Sequence, residues 1–271
     1  MLRLLPITVL ACGLGVAGCG ATPDAADSRL APQIDILRQV RRQVDGSVSL
    51  LTHLKVVLTD PSGRPLDDGR ARVLVNGTPL RHVTATGNYY DRSSFYSATD
   101  TTGDLVKPRT EYVFQLQVDD GPVTVMGRVT TLPDIGDAEV AVPSSLPLRQ
   151  PWTVRWRDVE SAGWLRARWM AWREQPDRST LTVTRMIEQT GMPAPPPGEP
   201  PPINHFETRL AAGEGSFTVP AAYLTPADSR ERVLALFLDF KTIRSGQLES
   251  AFRAGSIVAV RQAEYAIGLA Q

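Results

Sequence analysis

The sequence predicts an all-β protein, two tandem β-sandwich domains following a cleaved N-terminal signal helix and a short tether. β-Branched or alternating runs recur about every 8–12 residues from Val48 onward, with turn residues between them. No helical run interrupts this rhythm, and a Pro/Ser-rich break at 141–150 divides the strands into two sets. The chain accordingly reads as a signal (1–18), a tether (19–32), a first sandwich (33–142) and a second sandwich (148–271).

The signal begins with Arg3 and continues almost wholly apolar from Leu4 to Val16. A run of this length is too short for a permanent transmembrane helix and fits a secretion signal. It closes on Val16-Ala17-Gly18-Cys19, and the small, polar stretch Ala21 to Ala31 follows. Ile34, Leu37, Val40 and Val44 keep a helical spacing, while Ile34 and Ile36 alternate. This segment is a short helix or a first edge strand.

Leu54 to Leu58 is a strand that runs into the turn cluster Asp60-Pro61-Ser62-Gly63. Arg72 to Val75 meets Asn76-Gly77, whose tolerance of positive φ marks a type I′ hairpin. Tyr112 to Val118 alternates cleanly and turns through Asp119-Asp120-Gly121-Pro122 into Val123 to Thr131. The second set comprises Trp152 to Arg157, Leu165 to Trp172, Thr180 to Glu188, Phe206 to Leu210, Ser216 to Val219, Arg232 to Ile243 and Ser256 to Ile267. Within it, residues 191–202 hold seven prolines, a polyproline-type loop that cannot be an inner strand.

Composition narrows the function. Removing the signal takes away Arg3, leaving 28 basic and 29 acidic residues, a balance that excludes a typical nucleic-acid binder. Cys12 lies in the signal, so Cys19 is the mature chain's one thiol and no disulfide can form within it. About 250 residues suffice for two domains of ordinary size, and no second apolar run of membrane-spanning length follows the signal.

Val16-Ala17-Gly18-Cys19 resembles the lipobox of bacterial lipoproteins: an aliphatic residue, two small ones, then the lipidated cysteine. The resemblance implies a diacylglycerol on Cys19, cleavage just before it and a membrane contact through the lipid. Gly20 stands where an aspartate often retains such proteins at the inner membrane, so it points to the outer one. The Asp60 to Gly63 turn, the Arg72 to Leu80 hairpin, Gly87 to Tyr90 and the Glu111 to Asp120 strand resemble transthyretin-like or carboxypeptidase-regulatory modules. Pro151 to Trp156, Gly163 to Trp169 and Gly215 to Pro220 resemble fibronectin type III or immunoglobulin-like domains, from which the Pro-rich loop departs. Both module types imply binding or spacing roles without an inherent active site.

The remaining chemistry is sparse. His53, His82 and His205 lack metal-ligand spacing, and Asp60, Asp67 and Asp68 read as turn formers and not as a calcium loop. No metal, cofactor or catalytic group is expected. Ser216 reads as a strand start, and no G-x-S-x-G sequence occurs.

The oddity is aromatic. All five tryptophans fall between Trp152 and Trp172, interleaved with arginines. Alternation puts Leu165, Ala167, Trp169 and Ala171 in the core and Trp164, Arg166, Arg168, Met170 and Trp172 on the opposite face. Trp164, Arg166, Arg168 and Trp172 are therefore the candidate binding stripe, with tryptophan stacked under the Pro-rich loop as the alternative. The expected function is a lipid-anchored, non-catalytic binding, scaffold or structural protein with an envelope protein partner. A carbohydrate- or peptide-binding accessory lipoprotein is the second reading, and a diverged hydrolase the third.

Overall fold

Alternation makes the first strand: Ile34 and Ile36 turn inward while Gln33 and Asp35 face out, giving β1 (Ala31–Arg42). The computed structural model describes residues 30–60, 70–86, 92–136, 140–174, 180–186, 207–210, 212–226, 229–252 and 254–270. The signal, the 61–63 part of the first turn and the loop at 191–202 lie outside them. The protein is all-β, and two single 3₁₀ turns (Ala221–Leu224, Ser250–Phe252) are the helical content of the described residues.

The strands that follow β1 are β2 (Val48–Thr59), β3 (Ala71–Val75), β4 (Thr78–Pro79), β5 (Arg81–Thr86) and β6 (Arg92–Asp100). Then come β7 (Glu111–Val118), β8 (Thr124–Thr130), β9 (Ser145–Pro147), β10 (Trp152–Val159) and β11 (Gly163–Glu174). The last six are β12 (Thr180–Met186), β13 (Glu207–Leu210), β14 (Gly213–Val219), β15 (Glu231–Ser245), β16 (Gln247–Leu248) and β17 (Ser256–Ala270). Asn76 (φ 48°) and Gly77 (φ 79°) form the expected positive-φ turn between β3 and β4.

One large sheet runs through the molecule in the order β12-β11-β15-β17-β1-β2-β6-β5, with β13 beside β11 and β9 beside the end of β17. Segment 34–44 is neither a helix nor an edge. β1 is central, antiparallel to β2 on one side and parallel to β17 on the other. Its edge reading fails because its partner, β17, lies at the far end of the chain and leaves no local signal.

Two smaller sheets cover the same face of the large one. The sheet β16-β8-β7-β3-β4 packs Val73, Phe114, Leu116 and Met126 against Ile34, Ile36, Leu54 and Val56. The pair β10-β14 packs Val154, Trp156, Phe217 and Val219 against Leu165, Leu236, Phe240 and Tyr265. β17 serves both cores, Ile257 and Ala259 in the first and Ala263, Tyr265 and Ile267 in the second. The crossing between cores falls between Val129 and Ile135; the Pro/Ser-rich segment after it packs Val142, Leu146 and Leu148 onto the second.

Between the cores runs a polar belt. In register across β15, β17, β1, β2 and β6 lie Thr242, Arg261, Arg38, Thr52 and Asp100. Arg261 is 1% exposed, yet it stands in the inward row of β17 between Ala259 and Ala263. Asp134, from the crossing segment, pairs with both guanidiniums: Arg38 grips it through Nε at 3.0 Å and Nη2 at 3.0 Å, and Arg261 Nη1 forms a second ion pair. Burial, and secondarily Arg38, lowers the Arg261 guanidinium to about 9, leaving it charged at neutral pH. Arg38 Nη1 also donates to the carbonyls of Val106 at 2.7 Å and Gly103 at 3.2 Å.

That loop is itself held by Asp100. Its carboxylate accepts the backbone N–H groups of Thr102, Gly103, Asp104 and Leu105 at 2.7–3.3 Å. These bonds, Thr102's first among them, hold Asp100 far below the usual carboxylate range. At the other end of the row Gly163 faces Thr242. A Cβ there would strike the Lys241 carbonyl, so only glycine lets β11 close on β15.

Two outcomes follow for stability. Asp134→Ala strands the buried Arg261 guanidinium, while Arg38 keeps its loop carbonyls, and should cost about 3 kcal/mol in urea unfolding, with most of it recovered in Asp134→Ala/Arg261→Met. Asp100→Asn should destabilise the protein at pH 7. Because the folded carboxylate titrates below the unfolded one, its contribution is full above about pH 4 and lost on acidification. The gap between variant and wild type should therefore narrow at pH 3, read by the same unfolding assay.

Candidate functional site

The strands that bury two cores on one face present their other side chains on the opposite face. There, Arg166, Asp239, Glu264 and Arg41 stand in register across β11, β15, β17 and β1, forming a lateral row in which two neighbouring carboxylates are flanked by arginines. Arg166 Nη2 donates to Asp239 Oδ2 at 2.9 Å, and Arg168 Nη2 to Glu264 Oε2 at 3.2 Å. Arg41 approaches the same glutamate at 3.7 Å. Arg168 also lies over the Phe237 ring, 4.4 Å from its centroid.

The split of β11 follows the predicted alternation. Leu165, Ala167 and Ala171 enter the second core, and Arg166 and Arg168 lie half-buried on the other side. Trp164 departs from the expected exposed stripe, being only 6% exposed on that face, in register with Lys241 and Arg209. Its large apolar surface is removed from water instead of being offered to a ligand. Trp172 sits on β11 opposite Thr182 and Arg232, and its side chain lies outside the described ones, as does that of Trp169.

Among the described side chains the row is ionic. Arg41, Arg166 and Arg168 pair with two carboxylates, Asp239 and Glu264, and Glu207 of β13 stands in register on the other side of Arg166. The side chain of Asp239 is 8% exposed and its Oδ1 has no hydrogen-bond partner among the described residues. Sequence reasoning named the two arginines of β11 but missed Asp239, Glu264 and Arg41. Their signal is charge at matching positions on strands that become neighbours only in the fold.

The other candidates fall apart in space. His53 faces outward and bonds Thr99 Oγ1 at 2.9 Å; His82 faces inward, 4.9 Å from the Tyr96 ring, and bonds Ser94 Oγ at 2.6 Å. Burial and then Lys55 lower the His53 pKa. His205, Asp67, Asp68 and Cys19 lie outside the described residues. Among the described residues no cluster of His, Cys, Asp and Glu is arranged to hold a metal. Ser216 is an exposed residue of β14 opposite Arg155.

A cleft beside the belt is lined by Asp134, Asp158, Glu160, Ser161 and Thr242 and has about 20 Å³ open to water. Asp134 is held by Arg38 and Arg261, and Glu160 by Arg244 at 2.5 Å and Arg109 at 3.7 Å. These carboxylates tie the two halves together.

The burial of Trp164 has a measurable outcome. Trp164→Ala should lose about 3 kcal/mol or more in denaturant unfolding, the cost of emptying a buried aromatic site; a loss under 1 kcal/mol would place the ring in solvent. No known protein family and no curated protein matches the sequence.

Proposed function

We propose that the protein is a lipid-anchored component of the bacterial cell envelope, held by an acyl group on Cys19, with a non-catalytic binding or scaffold role. The observation that carries the anchor is the signal ending in Val16-Ala17-Gly18-Cys19. Two or more acyl chains, each gaining roughly 0.8 kcal/mol per buried methylene, hold a soluble domain durably at a bilayer. No helix among the described residues is long and apolar enough to cross a membrane. Gly20 after the cysteine favours the outer membrane.

The binding role is carried by the half-buried ionic row on the large sheet. Its three arginines favour an acidic segment of an envelope protein, because guanidiniums already oriented by Asp239 and Glu264 lose little freedom on pairing again. The burial of Trp164 counts against a flat aromatic platform for sugars. The cleft at Asp134, where Asp134 and Glu160 are held in ion pairs and the described lining contains no histidine, lends no support to a hydrolase.

The anchor is tested by Cys19→Ala expressed in its bacterial host. The variant should lose radiolabelled palmitate and leave the membrane fraction. Wild-type protein that carries no label yet stays membrane-bound would defeat the proposal.

A further inference from the structure

At the C-terminal end of β17 lies a cavity of about 470 Å³, within the size range of small-molecule sites. Its wall is built by the segment after the core crossing. β9 pairs in parallel with the last residues of β17, Gly268 N–H donates to Ser144 O at 3.0 Å, and Leu148 N–H to Ala270 O at 3.3 Å. Arg149 N–H then donates to Leu224 O at 3.0 Å, which holds Arg149 at φ 63°, a left-handed backbone rare outside glycine. Strain of this kind persists where surrounding structure enforces it, and it concentrates at binding sites.

The lining divides by chemistry. Pro147, Leu148 and Pro226 supply an apolar side, and Arg149 and Arg232 supply two solvent-accessible guanidiniums. Among the described lining residues the carboxylate is that of Glu231, which is 4% exposed. Two cations call for an anion, while Glu231 disfavours a second negative charge on it. The apolar side calls for a hydrophobic body attached to the anion.

We propose that this cavity binds a mono-carboxylate joined to a short apolar group, as in the C-terminal residue of a peptide or a short free acid. The carboxylate pairs with Arg149 and Arg232 and the apolar group lies against Pro147, Leu148 and Pro226. The position of the cavity adds to the anchor reading, on which this one clause rests: β1 and β17 run parallel, so the cavity lies roughly 50 Å along the sheet from Ala31, where the tether joins.

Ligand-observed NMR on the full-length protein in detergent tests the site with N-acetyl-leucine, N-acetyl-leucinamide and hexanoate. N-acetyl-leucine should bind and its amide should not. Arg232→Ala and Arg149→Gly should each weaken binding about tenfold or more; glycine suits the φ at 149, and circular dichroism checks that both variants fold. Tighter binding of N-acetyl-leucine than of hexanoate assigns the site to peptide termini, and equal binding to short acids in general. Equal binding of acid and amide, no binding to the wild type, or unchanged affinity in the folded variants would overturn the proposal. None of these outcomes depends on lipid at Cys19, which membrane fractionation reads separately.

Discussion

Arg38 and Arg261 face one buried seam and share the carboxylate of Asp134, and the arrangement of both cores depends on that ion cluster. Charges taken out of water need partners, or the cost exceeds what a small domain can absorb. Carbonyls of the loop after β6 lie over the seam. Arg38 answers those of Gly103 and Val106, so a single side chain satisfies the loop and the acid together. The polar row across five strands is thus the line at which one sandwich ends and the next begins, on a sheet that itself never breaks.

The same sheet carries ion pairs on both faces, for different reasons. On the covered face Arg261 is fully buried, and its pairing with Asp134 ties the crossing segment to the sheet. On the other face, Arg41, Arg166 and Arg168 remain partly wet, where pairing with Asp239 and Glu264 contributes modestly to stability and orients the guanidiniums. A planar group held in place this way can be re-used by an acidic partner more readily than a free lysine.

Much of the fold was legible because strand periodicity is local. The Asn76-Gly77 turn, the alternation of Tyr112 to Val118 and the two faces of β11 all follow from residues within a few positions of one another. Pairing of β1 with β17 was not legible, since the partners are separated by nearly the whole chain. The belt did leave a trace. Arg261 interrupts the apolar row Ile257, Ala259, Ala263, Tyr265, as Arg38 follows Ile34 and Ile36, and each marks the same seam. Alternation tells which face Trp164 occupies but not whether that face is open, so exposed stripe and covered ring stay as two readings that its 6% exposure decides. The expected lipid site, Cys19, rests on the sequence.

Parallel pairing of the first and last strands also decides how the molecule bears load. β1 begins at Ala31, where the proposed tether would end, and it lies between β2 and β17 along its length. A pull applied at Ala31 along the strand cannot peel hydrogen bonds one at a time. It must slide β1 past both neighbours at once, with Arg38 clamped to Asp134 resisting the first step. A shear joint therefore sits at the point where an anchored protein would be tugged.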